Sequence, residues 1–219
     1  QVATWQTILN ISVNVLLVVF MGGLCKMSLK GYTQPPGAID LVSPLRDGKF
    51  IVGHGGSTQL INAHVRAKPQ NHALDILALN AWGSRKKPFS NPADLDNYVI
   101  FNMPLYAPCA GQVIVAVDGR DDLIPPATDR EQLAGNHVVI ACHGVRVLMA
   151  HMKKGSIQVT EGQTVGTETQ LGRVGNSGNT SEPHLHIHAE TGDESPQILK
   201  GEAVVITIDG RYLVRGNTF

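Results

Sequence analysis

The sequence lacks an excess of charge of either sign. Its 219 residues contain 18 Lys and Arg against 18 Asp and Glu, so the formal net charge is zero. A protein that binds nucleic acid needs surplus basic side chains to neutralise phosphates. Charged residues make up only 16% and hydrophobic residues 42%, a balance that a disordered chain does not have. The composition therefore indicates a folded protein whose partner is not a nucleic acid.

Cysteine is also scarce. Because there are only three, the chain cannot be a disulfide-rich scaffold. Cys109 and Cys142 could pair across adjacent strands in an oxidising compartment, but their positions in the sequence do not give the distance between them. Glycine and proline, by contrast, are frequent, with 23 and 12 residues and no regular repeat. Such punctuation is typical of short strands joined by turns.

Charge is missing altogether from the N-terminal segment, where the first charged residue is Lys26. Ile8 to Leu24 is mostly apolar and close to the length of about 20 residues that a membrane helix needs. Alternating polar residues near its start would also fit a buried strand. We interpret residues 1–27 as a hydrophobic helix that anchors the chain in a membrane, and 28–48 as a linker. Lys26 and Lys30 would place the following domain in the cytoplasm under the positive-inside rule, whereas the chemistry described below favours the opposite side.

The rest of the chain has the pattern of strands and turns, and no long amphipathic helix is predicted after residue 41. The predicted strands or apolar stretches are 49–52, 73–79, 112–117, 137–142, 145–151, 184–190 and 204–208. The long polar segment 118–135 is predicted to be an exposed loop over the sheet rim. These elements predict a mainly β fold, an antiparallel sheet or sandwich, in one domain over residues 49–219.

Three of the nine histidines alternate in one predicted strand. His184, His186 and His188 are separated by Leu185 and Ile187. Side chains at positions i, i+2 and i+4 point to one face of a strand, so the imidazoles share one face and the apolar residues bury on the other. Clustered imidazoles repel one another when charged and gain little without a metal or a catalytic task. The pattern therefore favours a metal or catalytic site over an ordinary solvated face.

An acidic residue, Asp75, lies within the apolar stretch 73–79. A buried carboxylate without a partner is costly, and either a local turn or a bound metal would relieve that cost. A catalytic zinc ion takes three protein ligands and keeps one position for water. A carboxylate is a natural third ligand beside two imidazoles, so Asp75 is a candidate ligand for Zn²⁺.

A longer motif carries a resemblance to a known family. The segment Gly172 to His186, with the sequence GRVGNSGNTSEPHLH, resembles the signature of the lysostaphin/LytM-type zinc metallopeptidases. Shorter segments resemble further motifs of that family in the same order, at 106–113, 135–140, 148–152 and 161–165. These enzymes are endopeptidases that cut peptide cross-links of bacterial peptidoglycan. The resemblance implies the LytM-like β fold of the duplicated hybrid-motif type.

The resemblance also implies roles for particular residues. His186 and Asp75 would bind Zn²⁺, and His184 and His151 would flank the metal as general base and as stabiliser of the transition state. Peptidoglycan peptides would be the substrate. The protein would then act in the bacterial cell envelope, held by its N-terminal segment, with the catalytic domain outside the cytoplasm.

One position departs from the family pattern. The first histidine ligand lies four residues before the aspartate, and that position is Asn71 here. His72 lies three residues before Asp75, and in an extended segment an odd spacing puts the two side chains on opposite faces. His64 could fold back across the turn at residues 68–69 and is the favoured replacement. A vacant third position, which would put catalysis in doubt, stays open.

The other polar candidates have less specific signals. His188, Asn71 and His72 are possible outer-shell or substrate contacts, and Asn136 either contacts substrate or caps a turn. His54 is interpreted as a turn residue, and His137 and His143, which flank a strand, as exposed or hydrogen-bonded locally.

Two other classes of function compete with the enzyme. A catalytically inactive relative would bind cell-wall material or activate a partner hydrolase. A biotinyl- or lipoyl-type carrier would share the glycine turns, but it needs a modified lysine between methionines at a hairpin tip, and residues 152–155 do not supply that sequence.

Overall fold

The N-terminal segment without charge forms one helix. In the computed structural model, which describes residues 2–192 and 197–219, helix α1 spans Val2–Gly31. It is long and apolar enough to cross a membrane, and none of its apolar window is buried inside the protein. The expected hydrophobic helix is therefore confirmed, and it continues beyond residue 27 to Gly31.

The end of α1 contacts the following domain directly. The backbone N–H of Ser57 donates to the carbonyl of Gly31 at 3.1 Å. A Cβ atom at residue 31 would overlap the side chains of Thr58 and Ile61, so glycine permits this close approach. The helix is thus joined to the domain by packing as well as by the chain itself.

Twelve strands follow α1 in the described part of the chain. They are β1 (Ile39–Leu41), β2 (Lys49–His54), β3 (Leu74–Leu79), β4 (Pro104–Tyr106), β5 (Gly111–Val117), β6 (Asn136–Cys142), β7 (Val145–Met152), β8 (Thr164–Val165), β9 (Gln170–Arg173), β10 (Leu185–Thr191), β11 (Ala203–Val204) and β12 (Ile206–Ile208). Eight of them form an antiparallel sheet in the order β2-β3-β10-β7-β6-β5-β8, with β11 paired to β10. Strands β4 and β9 form a second, small sheet, and β1 and β12 pair in parallel.

The mainly β prediction is confirmed, with two differences in detail. The strand predicted over 204–208 is divided, because β11 pairs with β10 whereas β12 pairs with β1. Strand β1 lies inside the segment 28–48 that we expected to be a linker, and Leu41 and Leu45 are buried in the core. These pairings join distant parts of the chain, so no local pattern in the sequence marks them.

Strand β10 occupies the middle of the large sheet, between β3 and β7. Leu185 and Ile187 are fully buried in the main core, as their alternation predicts. The opposite face of the strand is buried too, since His186 and His188 are only 5% and 1% exposed. The histidine face is therefore largely buried and is not an ordinary solvated surface.

The sheet also brings the two downstream cysteines together. Cys109, just before β5, and Cys142, at the end of β6, form a disulfide with 6.4 Å between their Cα atoms. Cys25, on α1, is free and exposed. The Cys109–Cys142 pairing, which the sequence left open, therefore links the start of β5 to the end of β6 covalently.

We expect the double substitution Cys109→Ala/Cys142→Ala to lower the free energy of unfolding by about 3 to 4 kcal/mol, because the bond closes a loop of about 33 residues in the unfolded chain. Urea titration of the full chain in detergent micelles measures the change. The matched control is Cys25→Ser, which leaves the disulfide intact and should move the midpoint little. Equal midpoints for all three proteins would show that the disulfide does not stabilise the fold.

Candidate metal centre

Asp75 lies at the centre of a group of imidazoles. It sits directly opposite His186 in the antiparallel pairing of β3 with β10, which places cross-strand side chains within contact distance. Asp75 Oδ1 is 2.9 Å from His186 Nδ1, and Asp75 Oδ2 is 2.9 Å from His64 Nε2. Ligand atoms of these three residues lie within 4.8 Å of one another, so among the described residues they form a group that could hold a metal ion.

Two short 3₁₀ turns carry His64 to the carboxylate. They span Ala63–Arg66 and Lys68–Gln70, across the turn where the sequence predicted a fold-back. The buried Asn62 fixes the first turn, because its Oδ1 accepts a hydrogen bond from the His64 N–H at 3.1 Å and its Nδ2 donates to the Gly56 and Ala73 carbonyls. Sequence reasoning missed Asn62.

Asn71 and His72 are not part of this group. Asn71 is the C-cap of the second 3₁₀ turn, and His72 precedes β3. Asn71 Oδ1 and His72 Nδ1 are buried and have no hydrogen-bond partner among the described residues. The structure therefore brings His64 to Asp75 instead of either residue nearer to it in the sequence.

His151 approaches from β7 with its ring orientation fixed. Its Nδ1 donates to the Ser177 carbonyl at 2.9 Å, which leaves Nε2 as the acceptor. The ring centroid lies 4.8 Å from that of His184 and 5.8 Å from that of His186. Its backbone φ of 62° is rare for a residue with a side chain, a form of strain that is characteristic of functional sites. Burial, together with the neighbouring imidazoles, holds the pKa of His151 well below its ordinary value.

His184 completes the group just before β10 begins. Its Nε2 lies 3.5 Å from Asp75 Oδ1, and its Nδ1 lies 2.9 Å from the Glu182 carbonyl and 3.1 Å from Thr180 Oγ1. Burial disfavours the charged ring, but the Asp75 carboxylate and the Glu182 carbonyl outweigh burial and raise the pKa of His184. The raised pKa of His184 contrasts with the lowered pKa values of His151, His186 and His188, so His184 holds a proton more readily than these three.

The glycine-rich motif before β10 supports these imidazoles without contributing a ligand itself. Gly178 has a φ of +85° and packs so closely on the backbone of Gly135 that a Cβ atom would overlap it. The Ser177 Oγ accepts from the Asn136 N–H at 2.9 Å and donates to the Met152 carbonyl at 2.7 Å. The Ser177 carbonyl is thereby held where it receives the proton of His151 Nδ1.

Asn136 has a structural role and does not contact the groove. Its Nδ2 donates to the carbonyls of Arg120 and Met152, and its Oδ1 accepts from the Arg120 N–H. The side chain is fully buried. Asn136 therefore ties the loop over residues 118–135 to the end of β7.

His188 lies behind His186. Its Nδ1 is 2.9 Å from His186 Nε2, and its own Nε2 is buried with no hydrogen-bond partner among the described residues. Burial, reinforced by His186 and His64, holds the pKa of His188 well below its ordinary value. The three alternating histidines do share one face, as predicted.

The remaining histidines divide into two kinds. His137 bonds the Gly135 carbonyl, and His143 is exposed at the turn between β6 and β7, as the sequence indicated. His54 is different from the expected turn residue. It ends β2 opposite Asp75, after a register shift in the strand, and its ring centroid is 6.0 Å from that of His64.

The protonation of the group suits a zinc ion. Burial favours a protonated Asp75, but hydrogen bonds and charge from the surrounding histidines hold the pKa of its carboxyl well below the ordinary value. Burial lowers the pKa of His186, so this imidazole is neutral near pH 7. Two imidazole nitrogens and one carboxylate oxygen are a donor set that zinc uses in catalytic sites, and these ligands must be deprotonated to bind it.

The centre lies in an open groove with two arms. One arm has a volume of about 340 Å³ and the other about 520 Å³. His64, His151 and Asn179 line both arms, so the candidate metal group lies where they meet. A peptide of several residues could therefore cross the centre.

Comparison with known proteins gives a family match. Residues 96–198 match the model of peptidase family M23, a range that contains His151, His184 and His186, while His64 and Asp75 lie before it. No curated protein matches the chain significantly.

Solved structures with similar folds include an M23 metalloprotease. Pseudoalterin, an M23 metalloprotease from the deep sea, is 15% identical with a TM-score of 0.47, and the match covers 83% of this chain and 98% of that one. Lysostaphin from Staphylococcus simulans is 17% identical with a TM-score of 0.40, covering 72% and 50%. A chain of the SpoIIQ–SpoIIIAH pore-forming complex is 13% identical with a TM-score of 0.38, covering 65% of each chain. The present chain thus spans about half of the length of lysostaphin and about two thirds of the length of the pore-complex chain.

The motif around β10 and the antiparallel sheet agree with the family match, and the chain resembles peptidase family M23, the lysostaphin/LytM-like peptidases, over residues 96–198.

Proposed function

We propose that the protein is a zinc-dependent endopeptidase that hydrolyses peptide bonds in bacterial peptidoglycan cross-links. One observation carries the proposal: His64 Nε2 and His186 Nδ1 each approach the Asp75 carboxylate to 2.9 Å at the junction of an open groove. The match of residues 96–198 to peptidase family M23 supports the substrate class, because peptidases of this family act on the cell wall.

His64, Asp75 and His186 would hold the metal, and His184 and His151 would act beside it. Bound zinc supplies a Lewis acid that polarises a peptide carbonyl and acidifies a water molecule. His184 is proposed as the general base, since a cation held by Asp75 offsets the negative charge that raises the pKa of this imidazole. His151 is proposed to stabilise charge on the reacting carbonyl from the Nε2 side, while the Ser177 carbonyl holds its Nδ1.

His188 is proposed to orient His186. For His186 Nδ1 to bind a metal, the ring proton must lie on Nε2, from which it is donated to His188 Nδ1 at 2.9 Å. A fixed partner behind a ligating imidazole sets its tautomer and ring angle. His188 is therefore proposed as a positioning residue.

We further propose that α1 anchors the protein in the membrane and that the metallopeptidase domain, residues 49–219, lies outside the cytoplasm. The Cys109–Cys142 disulfide supports this side, because such bonds persist in oxidising compartments. Lys26 and Lys30 would favour the opposite orientation, but two charges are a small bias.

The competing functions have less support. Asn71, at the position of the family's first histidine ligand, favours an inactive binding domain, but His64, which approaches Asp75, would supply the missing imidazole. A carrier module needs a free lysine at a hairpin tip, whereas Lys153 bonds Asn102 and Lys154 bonds Asp121.

Replacing His186 and His184 separately should distinguish a residue that binds the metal from one that transfers a proton. We expect His186→Ala to lose both zinc and activity, and His184→Ala to keep one zinc per chain while kcat falls at least about a hundredfold, the usual scale for an acid–base group. Zinc content by mass spectrometry and release of soluble peptides from purified peptidoglycan measure the two effects. His143→Ala, at an exposed turn, is the matched control. An undiminished rate for His184→Ala would refute the role assigned to it.

The unusual third ligand can be tested against its neighbour in the sequence. We expect His64→Ala to weaken zinc binding by at least about a hundredfold, because one of three protein ligands is removed. His72→Ala should bind zinc as the unmodified protein does, since His72 lies outside the group. Competition with a fluorescent chelator gives both affinities. The assignment fails if the two variants bind zinc equally well.

The role of His188 predicts a graded effect on metal affinity. We expect His188→Leu to weaken zinc binding about 10- to 100-fold, the range for loss of an outer-shell partner, and His188→Asn, whose amide oxygen can accept the His186 proton, to recover part of it. Chelator competition measures zinc affinity, and thermal unfolding confirms that both variants fold. Zinc binding that is unchanged in His188→Leu would contradict the role.

A further inference from the structure

The two arms of the groove differ in chemistry. The first is here called the apolar arm, because half of its lining residues carry small or medium aliphatic side chains, among them Ala63, Ala67, Leu133, Ala134, Leu148 and Leu199. The second, here called the basic arm, carries the charged and polar residues His54, Arg85, Ser181, Glu182 and Arg215. Because the candidate metal group lies between the arms, a peptide cut there would place the residues on either side of the scissile bond in different surroundings.

Two arginines line the basic arm, and only one of them has an acidic partner. Arg85 forms an ion pair with Glu182. Arg215 is exposed and has no carboxylate partner among the described residues. The charge that Arg215 brings to this arm is therefore not neutralised by the protein.

The backbone around Arg215 is fixed although its side chain is open. The Arg215 N–H donates to the Gly55 carbonyl at 3.2 Å, and the Gly216 N–H donates to the Val52 carbonyl at 2.9 Å. These bonds hold the C-terminal segment along β2, beside the metal centre. A guanidinium on a fixed backbone loses less conformational freedom when it binds an anion than one on a loose tail.

His54 adds a second donor in the same arm. Its Nδ1 accepts the Ala63 N–H at 3.4 Å, so in the neutral ring the proton lies on Nε2. His54 and Arg215 line the same arm of the groove. A guanidinium and a neighbouring N–H donor form an arrangement that suits a carboxylate.

The apolar arm offers no comparable free cation among the residues that line it. Its one arginine, Arg66, bonds the side chain of Gln59 once that amide is turned to face it. Alanines at several wall positions leave room for a small aliphatic side chain. A negatively charged substrate group therefore finds no free cation in the apolar arm, whereas Arg215 provides one in the basic arm.

We propose that the basic arm is a carboxylate-binding subsite with Arg215 as its specificity-determining residue, and that the substrate is an acidic peptide. The residue on the other side of the scissile bond carries a small apolar side chain, which the apolar arm receives. This inference rests on the proposed peptidase function. The carboxylate belongs either to an acidic side chain or to a chain terminus, and the two sources are separated by the peptides used below.

The test compares fluorescein-labelled peptides that differ in one carboxylate. One pair carries Glu or Gln beside an alanine, and a second pair ends in a free acid or an amide. We expect the zinc-loaded full chain in detergent micelles to cleave one acid form with a KM about five- to tenfold lower than its amide, at similar kcat. Arg215→Gln should abolish that preference by raising KM for the acid form alone, and Arg215→Lys should retain part of it. Arg130→Gln, an exposed arginine that lines neither arm, is the matched control.

Equilibrium binding separates failure of this inference from failure of the proposed function. Fluorescence anisotropy with the same peptides measures affinity in the absence of any cleavage. A protein that cleaves no peptide but binds the acid form more tightly, through Arg215, would overturn the peptidase function and keep the carboxylate subsite. Equal affinity for acid and amide, or an Arg215→Gln variant that weakens both alike, would overturn the subsite whether or not the protein is a peptidase.

Discussion

The pairing of Asp75 with His186 across β3 and β10 is the constraint on which the rest of the site depends. A carboxylate within a sheet is stable only when its charge is matched, and here three imidazoles surround it, His64 from one part of the chain and His184 and His186 from another. The register sets which side chains face it, because a shift of one residue would turn His186 into the core and Leu185 or Ile187 towards the carboxylate. The apolar residues that fix β10 in the core therefore also fix the geometry of the candidate metal centre.

The glycine-rich motif has a physical explanation that its sequence alone does not give. None of its residues before His184 is among the candidate ligands; Ser177 and Thr180 hold His151 and His184 through hydrogen bonds. The close packing of Gly178 on Gly135 brings the loop near enough for these bonds to form. The residues of a family signature can thus be those that position the site residues, as well as the site residues themselves.

The sequence predicted the features that depend on local pattern. The alternation of His184, His186 and His188 was enough to place three imidazoles on one face, and the position of Asp75 in an apolar stretch marked it as an acid that needs a partner. Spacing along the chain could favour His64 as a ligand but could not establish its approach, which depends on two 3₁₀ turns and the Asn62 cap. The pairing of β1 with β12, the place of His54 at the end of β2 and the disulfide all join residues whose distance in space is set by the whole fold.

The packing of α1 against the domain has a geometric consequence for an anchored protein. Only about six residues separate the apolar stretch from the point where Gly31 meets Ser57, which is roughly 9 Å of helix. In the membrane-anchored peptidase proposed above, the groove would be held at a short, nearly constant height above the lipid surface and would not move freely on a flexible tether. Such an enzyme would reach only the cell-wall material nearest the membrane. The length of the helix, and not diffusion of the domain, would set the distance between the groove and the lipid.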